Sequence, residues 1–358
     1  MKVIVIEACG LHLGYLGCYG NDWVATPNLD RLAAEGVVFE WHFADQPELD
    51  SVTPWHQRSV GTGRYSLPGL APVATRLPIQ PRVVQCGALT QFASDASSAL
   101  ATDEPWLWIE GPSLVPPWRL EDDLLEAYFD EDDEEEGLKP WRDPPLGLSD
   151  LDEAQVLRLQ NTYAAVVTFF DAQLGAVLQA INGGDAFIIV TARSGLPLGE
   201  HGMIGAPKPR LHDELVHIPL LMRLPGGAQA GCRVSALTQP LDLLPTILET
   251  LSSPIPDCDG KNLWPWLRGE KMEVRPFAFS ALRASDEECW LMRSPYVALH
   301  LPTGDRQTPG QLFVKPEDRW EVNDLWQQRL ETGESQATSL REFAHRISCS
   351  ARPAPSSR

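Results

Sequence analysis

Short apolar runs alternate along the chain with segments of helical period. Val3 to Ile6, Val37 to Phe43, Trp106 to Ile109, Phe187 to Thr191 and Pro219 to Met222 have the length and the β-branched or aromatic content of strands. Runs this apolar predict strands buried on both faces, as in a parallel sheet. From Leu151 to Ile181 the period changes. Val156, Leu159, Tyr163, Val166, Phe170, Leu174, Val177 and Ile181 recur at spacings of three or four, the stripe of one long helix. Ser149 with Asp152, or Asp150 with Glu153, would cap its start. Shorter helices are predicted over Asn28 to Glu35, ended by Gly36, and over Asp242 to Leu251. Strands interleaved with helices give an α/β fold, a largely parallel sheet sandwiched by helices.

After the Pro- and Gly-containing stretch Pro254 to Gly260 the pattern shifts. Strand-like pieces at Phe277 to Ser280, Cys289 to Arg293, Tyr296 to Leu301 and Gln311 to Val314 precede a helix near Ala337 to Ile347. The expected organisation is an α/β domain over 1–270, a small C-terminal α+β subdomain over 271–347 and a disordered tail over 348–358. The 358 residues, 43% hydrophobic, supply enough apolar mass for such a core.

Charge adds one feature. The chain has 29 Lys+Arg against 49 Asp+Glu, a net −20, and Glu121 to Glu136 alone carries −11. This balance argues against a nucleic-acid surface or a polybasic membrane anchor as the main function. Residues 119–147, acidic and then Pro-rich, are expected to form an exposed loop or insertion. No run approaches the ~18 to 20 apolar residues of a membrane span, and no cleavable apolar region follows Met1, so a cytoplasmic protein without membrane contact is expected. Seven scattered cysteines without a Cys-x-x-Cys pair argue for buried free thiols over a zinc site or a disulfide framework.

Several stretches then recur together in a recognisable order. They are Leu16-Gly17-Cys18-Tyr19-Gly20; Thr26-Pro27-Asn28-Leu29-Asp30-Arg31-Leu32; Thr62-Gly63-Arg64-Tyr65; Asp171-Ala172-Gln173-Leu174-Gly175; Leu198-Gly199-Glu200-His201-Gly202; Asp242-Leu243-Leu244-Pro245-Thr246; Asp259-Gly260-Lys261-Asn262-Leu263; and Glu321-Val322-Asn323-Asp324-Leu325. In this order they resemble the sulfatase family of the alkaline phosphatase superfamily, nearly end to end, with Ser66 to Asp103 shorter than its counterpart. The resemblance implies an ester hydrolase using calcium or another divalent cation and a formylglycine made from Cys or Ser.

The residues at the implied positions differ. The tandem aspartates of the family fall on Cys9 and Gly10, and its Asp-His or Asp-Asn pair falls on Arg193 and Ser194. A hard divalent cation needs several oxygen ligands, and Arg193 brings a positive charge to its place. No bound cofactor is therefore expected. The nucleophile position falls on Thr53, nine residues before Thr62, in a stretch reading Pro54-Trp55-His56-Gln57-Arg58; shifting the register by one places Pro54 there instead. Thr53 could act only with a base or metal to activate it, and His56 is the nearby base, unless it is simply a loop histidine. Lys208, eleven residues before Pro219, falls where the resemblance places a sulfate-contacting lysine, and it reads equally as a loop residue. Arg193 inside a cleft needs an anionic partner, either internal, with Glu7 nearest, or a bound sulfate or phosphate.

Two functions follow. One is a sulfatase-like pseudoenzyme that binds an anionic small molecule, such as a sulfate or phosphate ester, or a protein partner, with Arg193 and Lys208 as ligand-binding residues. The other is a divergent sulfuric or phosphoric ester hydrolase with a site rebuilt from Thr53, His56, His201 and Lys208. A third role, docking of the acidic segment on a basic surface, is weaker.

Overall fold

The computed structural model describes residues 1–49, 53, 55–68, 77–129, 139–148, 150–181, 185–206, 208–270, 275–284, 286–303 and 308–350. Pro54, Ser149, residues 130–136 of the acidic run and 351–358 of the expected tail lie outside them. The chain divides into two compact units. The first comprises Met1–Glu40, Gln80–Pro207 and His217–Val234, and the second Trp41–Ile79, Lys208–Val216 and Ser235–Arg358.

The strands, in chain order, are β1 (Lys2–Cys9), β2 (Val37–His42), β3 (Arg82–Gln85), β4 (Trp106–Ser113), β5 (Gly147–Leu148), β6 (Ala186–Ala192), β7 (Met203–Ile204), β8 (Leu220–Arg223), β9 (Cys232–Thr238), β10 (Ala278–Ala284), β11 (Glu287–Arg293), β12 (Val297–Pro302) and β13 (Gln311–Val314). The first unit is built on a seven-stranded sheet of order β3-β4-β1-β6-β8-β2-β9, the last residues of β2 and β9 being counted with the second unit. Strands β3, β4, β1 and β6 run parallel, and β8 is antiparallel to both β6 and β2. Val3, Ile4, Val5 and Ile6 are buried on both faces, as a continuous apolar run requires.

The long helix spans Glu153–Ala180. Its cap differs from both predicted pairs. Asp152 accepts from the Gln155 amide at 2.8 Å, and the Gln155 side chain accepts from the Asp152 amide at 3.1 Å, a reciprocal box that satisfies two exposed donors. This helix is long and apolar enough to cross a membrane by length and composition, but most of its apolar window is buried inside the protein, as in a core helix. It packs on helices Pro27–Ala34 and Phe92–Leu100, with Phe92 stacked on Phe170. Asp171 fixes one of these contacts. Its carboxylate accepts from the amides of Asn28 at 3.0 Å and Leu29 at 2.8 Å and from the Asn28 side chain at 2.8 Å, so one helix caps the start of another.

In the acidic region, Glu121, Asp122, Asp123 and Glu126 are exposed, as expected, but the backbone between them is anchored. Leu125 is buried, and the Tyr128 hydroxyl meets Thr168 and accepts from the Ala25 amide.

The second unit holds a four-stranded antiparallel sheet, β10-β11-β12-β13. Helix Leu330–Ser350 supplies Ala337, Leu340, Ala344 and Ile347 to the core that Phe279, Leu299, Leu301 and Leu312 contribute from the strands. The helix runs on through Ser350, into the segment expected to be tail.

Candidate functional site

In an open parallel sheet, ligands are met beyond the carboxyl ends of the strands. The ends of β1 and β6 lie side by side there, in the first unit. The Arg193 amide donates to the Ala8 carbonyl at 2.9 Å and the Leu11 amide to the Ser194 carbonyl at 3.1 Å, which locks the two chain ends together.

Each of the four family ligand positions is now accounted for. Cys9 is buried, its thiol 4.0 Å from the Ser194 hydroxyl. Burial pushes its pKa up, and Arg193 and hydrogen bonds with Ser194 and Ser113 offset this only in part. Gly10 has φ +73°, and a Cβ added there would lie 2.9 Å from a methyl of Val115, so no side chain fits without movement. The Gly10 carbonyl instead accepts from the Tyr163 hydroxyl at 2.6 Å, which itself accepts from the His12 amide at 2.8 Å. Ser194 is fully buried.

Arg193 is 5% exposed, and its guanidinium Nη2 lies 3.7 Å from Glu7 Oε2 and 4.0 Å from Glu110 Oε1. Glu7 on β1 and Glu110 on β4 are register partners, and both are buried. A neutral donor holds each carboxylate as well: Trp108 Nε1 donates to Glu7 at 3.3 Å, and Gln85 Nε2 donates to Glu110 at 3.0 Å. The internal partner anticipated for Arg193 is thus present. Glu110, which the sequence reading missed, completes it. One thiol, one glycine, one ion-paired guanidinium and one buried hydroxyl do not make a donor set for a hard divalent cation, so these positions do not fit calcium.

Beside this floor, His12 Nδ1 accepts from the Gly14 amide at 2.9 Å, which leaves the proton on Nε2, 3.5 Å from Glu200 Oε1. Burial raises the Glu200 pKa, but the neighbouring His12 and two backbone amides outweigh it and hold the carboxyl below its ordinary value. Glu200 is therefore tied into the fold. His201 follows it, exposed and at φ +52°.

The remaining candidates belong to the second unit. Thr53 is half-buried, and His56 is exposed with its ring edge-on to Trp55, centroids 6.4 Å apart. No hydrogen bond joins Thr53 to His56 among the described residues. A general base needs that reach, about 2.6 to 3.2 Å. Lys208 is half-buried and makes no side-chain hydrogen bond or ion pair among the described residues.

The other family stretches of this unit bind one another. The Gly63 carbonyl accepts from Asp259 and Gly260 at 2.7 and 3.0 Å, and Asp259 accepts from the Tyr65 amide at 3.1 Å. Asp242 accepts from Gln239 at 2.8 Å and Lys261 at 2.6 Å and pairs with Arg275. The sequence reading also missed a buried charge network. Glu321 meets Lys315 at 3.0 Å and His300 at 3.2 Å, and it bonds His212. Trp106, Trp108 and Trp118 are core residues, each at most 3% exposed.

A model of the sulfatase family matches residues 112–253. The multifunctional alkaline phosphatase superfamily protein PehA of Trinickia caryophylli is 33% identical over 123 residues, 33% of this chain and 24% of that protein. An N-acetylglucosamine-6-O-sulfatase of Bacteroides thetaiotaomicron is 31% identical over 113 residues, 30% of this chain and 20% of that enzyme. These matches span no more than about a quarter of either curated relative. The phosphonate monoester hydrolase of Agrobacterium radiobacter superposes with a TM-score of 0.67 at 19% identity, over 97% of this chain and 96% of that one, a likeness of fold. Residues 112–253 thus match the sulfatase family model, and the fold of the chain is like that of the phosphonate monoester hydrolase.

Proposed function

We propose that this chain is a sulfatase-like binding protein that recognises an anionic ester, of sulfate or phosphate, without hydrolysing it. The observation that carries this reading is the buried Arg193 between Glu7 and Glu110, in the place where the family resemblance puts a metal. Hydrolysis of a sulfate ester requires charge neutralisation at the leaving and non-bridging oxygens and an activated nucleophile. Arg193 is committed to two carboxylates, and Thr53 has no base within hydrogen-bond reach among the described residues. Binding needs less. Lys208 keeps an ammonium without an internal anionic partner among the described residues, which suits a point contact to a sulfate or phosphate oxygen. The likeness to an N-acetylglucosamine-6-O-sulfatase makes a sulfated amino sugar the first ligand to test.

The test is calorimetric titration with glucosamine 6-sulfate beside a turnover assay with aryl sulfate and aryl phosphate esters. Binding that weakens in Lys208→Ala, with no turnover, is the expected result. Turnover that is lost in Thr53→Ala would overturn the reading.

A further inference from the structure

We propose that the Arg193 guanidinium is a built-in cation that takes the electrostatic place of a divalent metal at the strand ends and makes the fold independent of added metal. The inference rests on the reading that this floor does no metal chemistry. Glu7 and Glu110 sit at one register on neighbouring strands and both turn an oxygen toward the same nitrogen, Nη2 of Arg193. Arg193 follows β6, the strand on the other side of β1, and its own amide is bonded to Ala8 of β1. One side chain therefore ties the carboxyl ends of β4, β1 and β6.

The charge count gives the proposal its second half. Glu7, Glu110 and Arg193 themselves carry two negative charges and one positive, and all three side chains are at most 4% exposed. Removing the guanidinium would take a cation away from two buried carboxylates that lie at one register. Hard oxygen ligands of that kind are what calcium and manganese seek. The arginine and a divalent ion are thus alternative occupants of one position, and the sequence supplies the arginine.

Thermal unfolding of the full chain tests this. Wild-type protein is expected to melt at the same temperature in EDTA, in calcium and in manganese. Arg193→Ala is expected to melt lower and to be raised again by manganese or by low, non-denaturing guanidinium. That rescue should vanish when Glu7→Gln and Glu110→Gln are added. If Arg193→Ala does not fold, Arg193→Lys, which keeps a charge, is expected to fold with a lower melting temperature that remains insensitive to EDTA. A wild-type melting temperature that falls in EDTA would overturn the proposal, as would an Arg193→Ala protein as stable as wild type. Turnover of an aryl sulfate by wild-type protein whose melting ignores EDTA would overturn the functional reading alone.

Discussion

Glu7 and Glu110 stand opposite each other on adjacent parallel strands, β1 and β4, with the guanidinium of Arg193 between their carboxylates. Burying like charges at one register is unfavourable unless a cation lies between them. Removing that cation alone is expected to cost about 3–5 kcal/mol, because two desolvated carboxylates lose their partner. Replacing all three residues with apolar side chains of similar volume is expected to be near neutral, since the pair attraction and the desolvation cost disappear together. Denaturant unfolding of Arg193→Met, and of Arg193→Met combined with Glu7→Leu and Glu110→Leu, checks the contrast. A triple variant weaker than the single one would contradict it.

Gly175 tests a second relationship. In a helix interior, Gly to Ala ordinarily adds roughly 1 kcal/mol of stability. Here an added Cβ would lie 2.4 Å from the Asn28 side chain, which is itself held by Asp171 at 2.8 Å. Gly175→Ala is therefore expected to destabilise by about 1–3 kcal/mol, against the propensity, and Asp171→Ala by about 2 kcal/mol through loss of the cap. A Gly175→Ala protein more stable than wild type in denaturant unfolding would show that the two helices part easily.

The strands and the long helix were legible because burial on both faces and a 3.6-residue period leave plain marks in composition. The floor of the site was legible only by half. Glu7 and Glu110 each end a four-residue apolar run, Val3 to Ile6 and Trp106 to Ile109, so their common depth in the sheet was written in the sequence. Their pairing was not, because register between strands about a hundred residues apart is set by tertiary packing. The motif stretches around Asp171, Asp242 and Asp259 were visible as words, and their structural use emerged only when each was seen to hydrogen-bond another. The cap at Asp152 was misassigned because several acids crowd the helix start, and only geometry selects the one whose partner lies at the third position.

The charge network of the second unit gives a pH prediction. Burial works against the His300 imidazolium, but the Glu321 carboxylate and hydrogen bonds with Cys289 and Glu321 outweigh it and raise its pKa from 6.5 to about 10. A histidine raised on folding contributes stability that is fully present below pH 6.5 and is lost as pH rises through about 10. Glu321 works in the opposite window. Burial raises its pKa, but His300, His212 and Lys315 together hold it well below 4.5, so its contribution is lost in strong acid. The melting temperature is expected to decline from pH 6.5 toward 10, and the decline is expected to flatten in His300→Asn. An unchanged slope in the variant would assign it to other groups.

The most direct test of the central claim is elemental analysis for calcium, magnesium, manganese and zinc, on full-length protein equilibrated with an excess of each ion and then desalted. The account predicts no ion bound at the strand ends, so that the content of each ion is the same in wild type, Glu7→Gln and Glu110→Gln, because Cys9, Gly10, Arg193 and Ser194 offer no donor set for it. A stoichiometric ion that is lost in Glu7→Gln or Glu110→Gln would contradict the account and place a rebuilt metal centre at the strand ends.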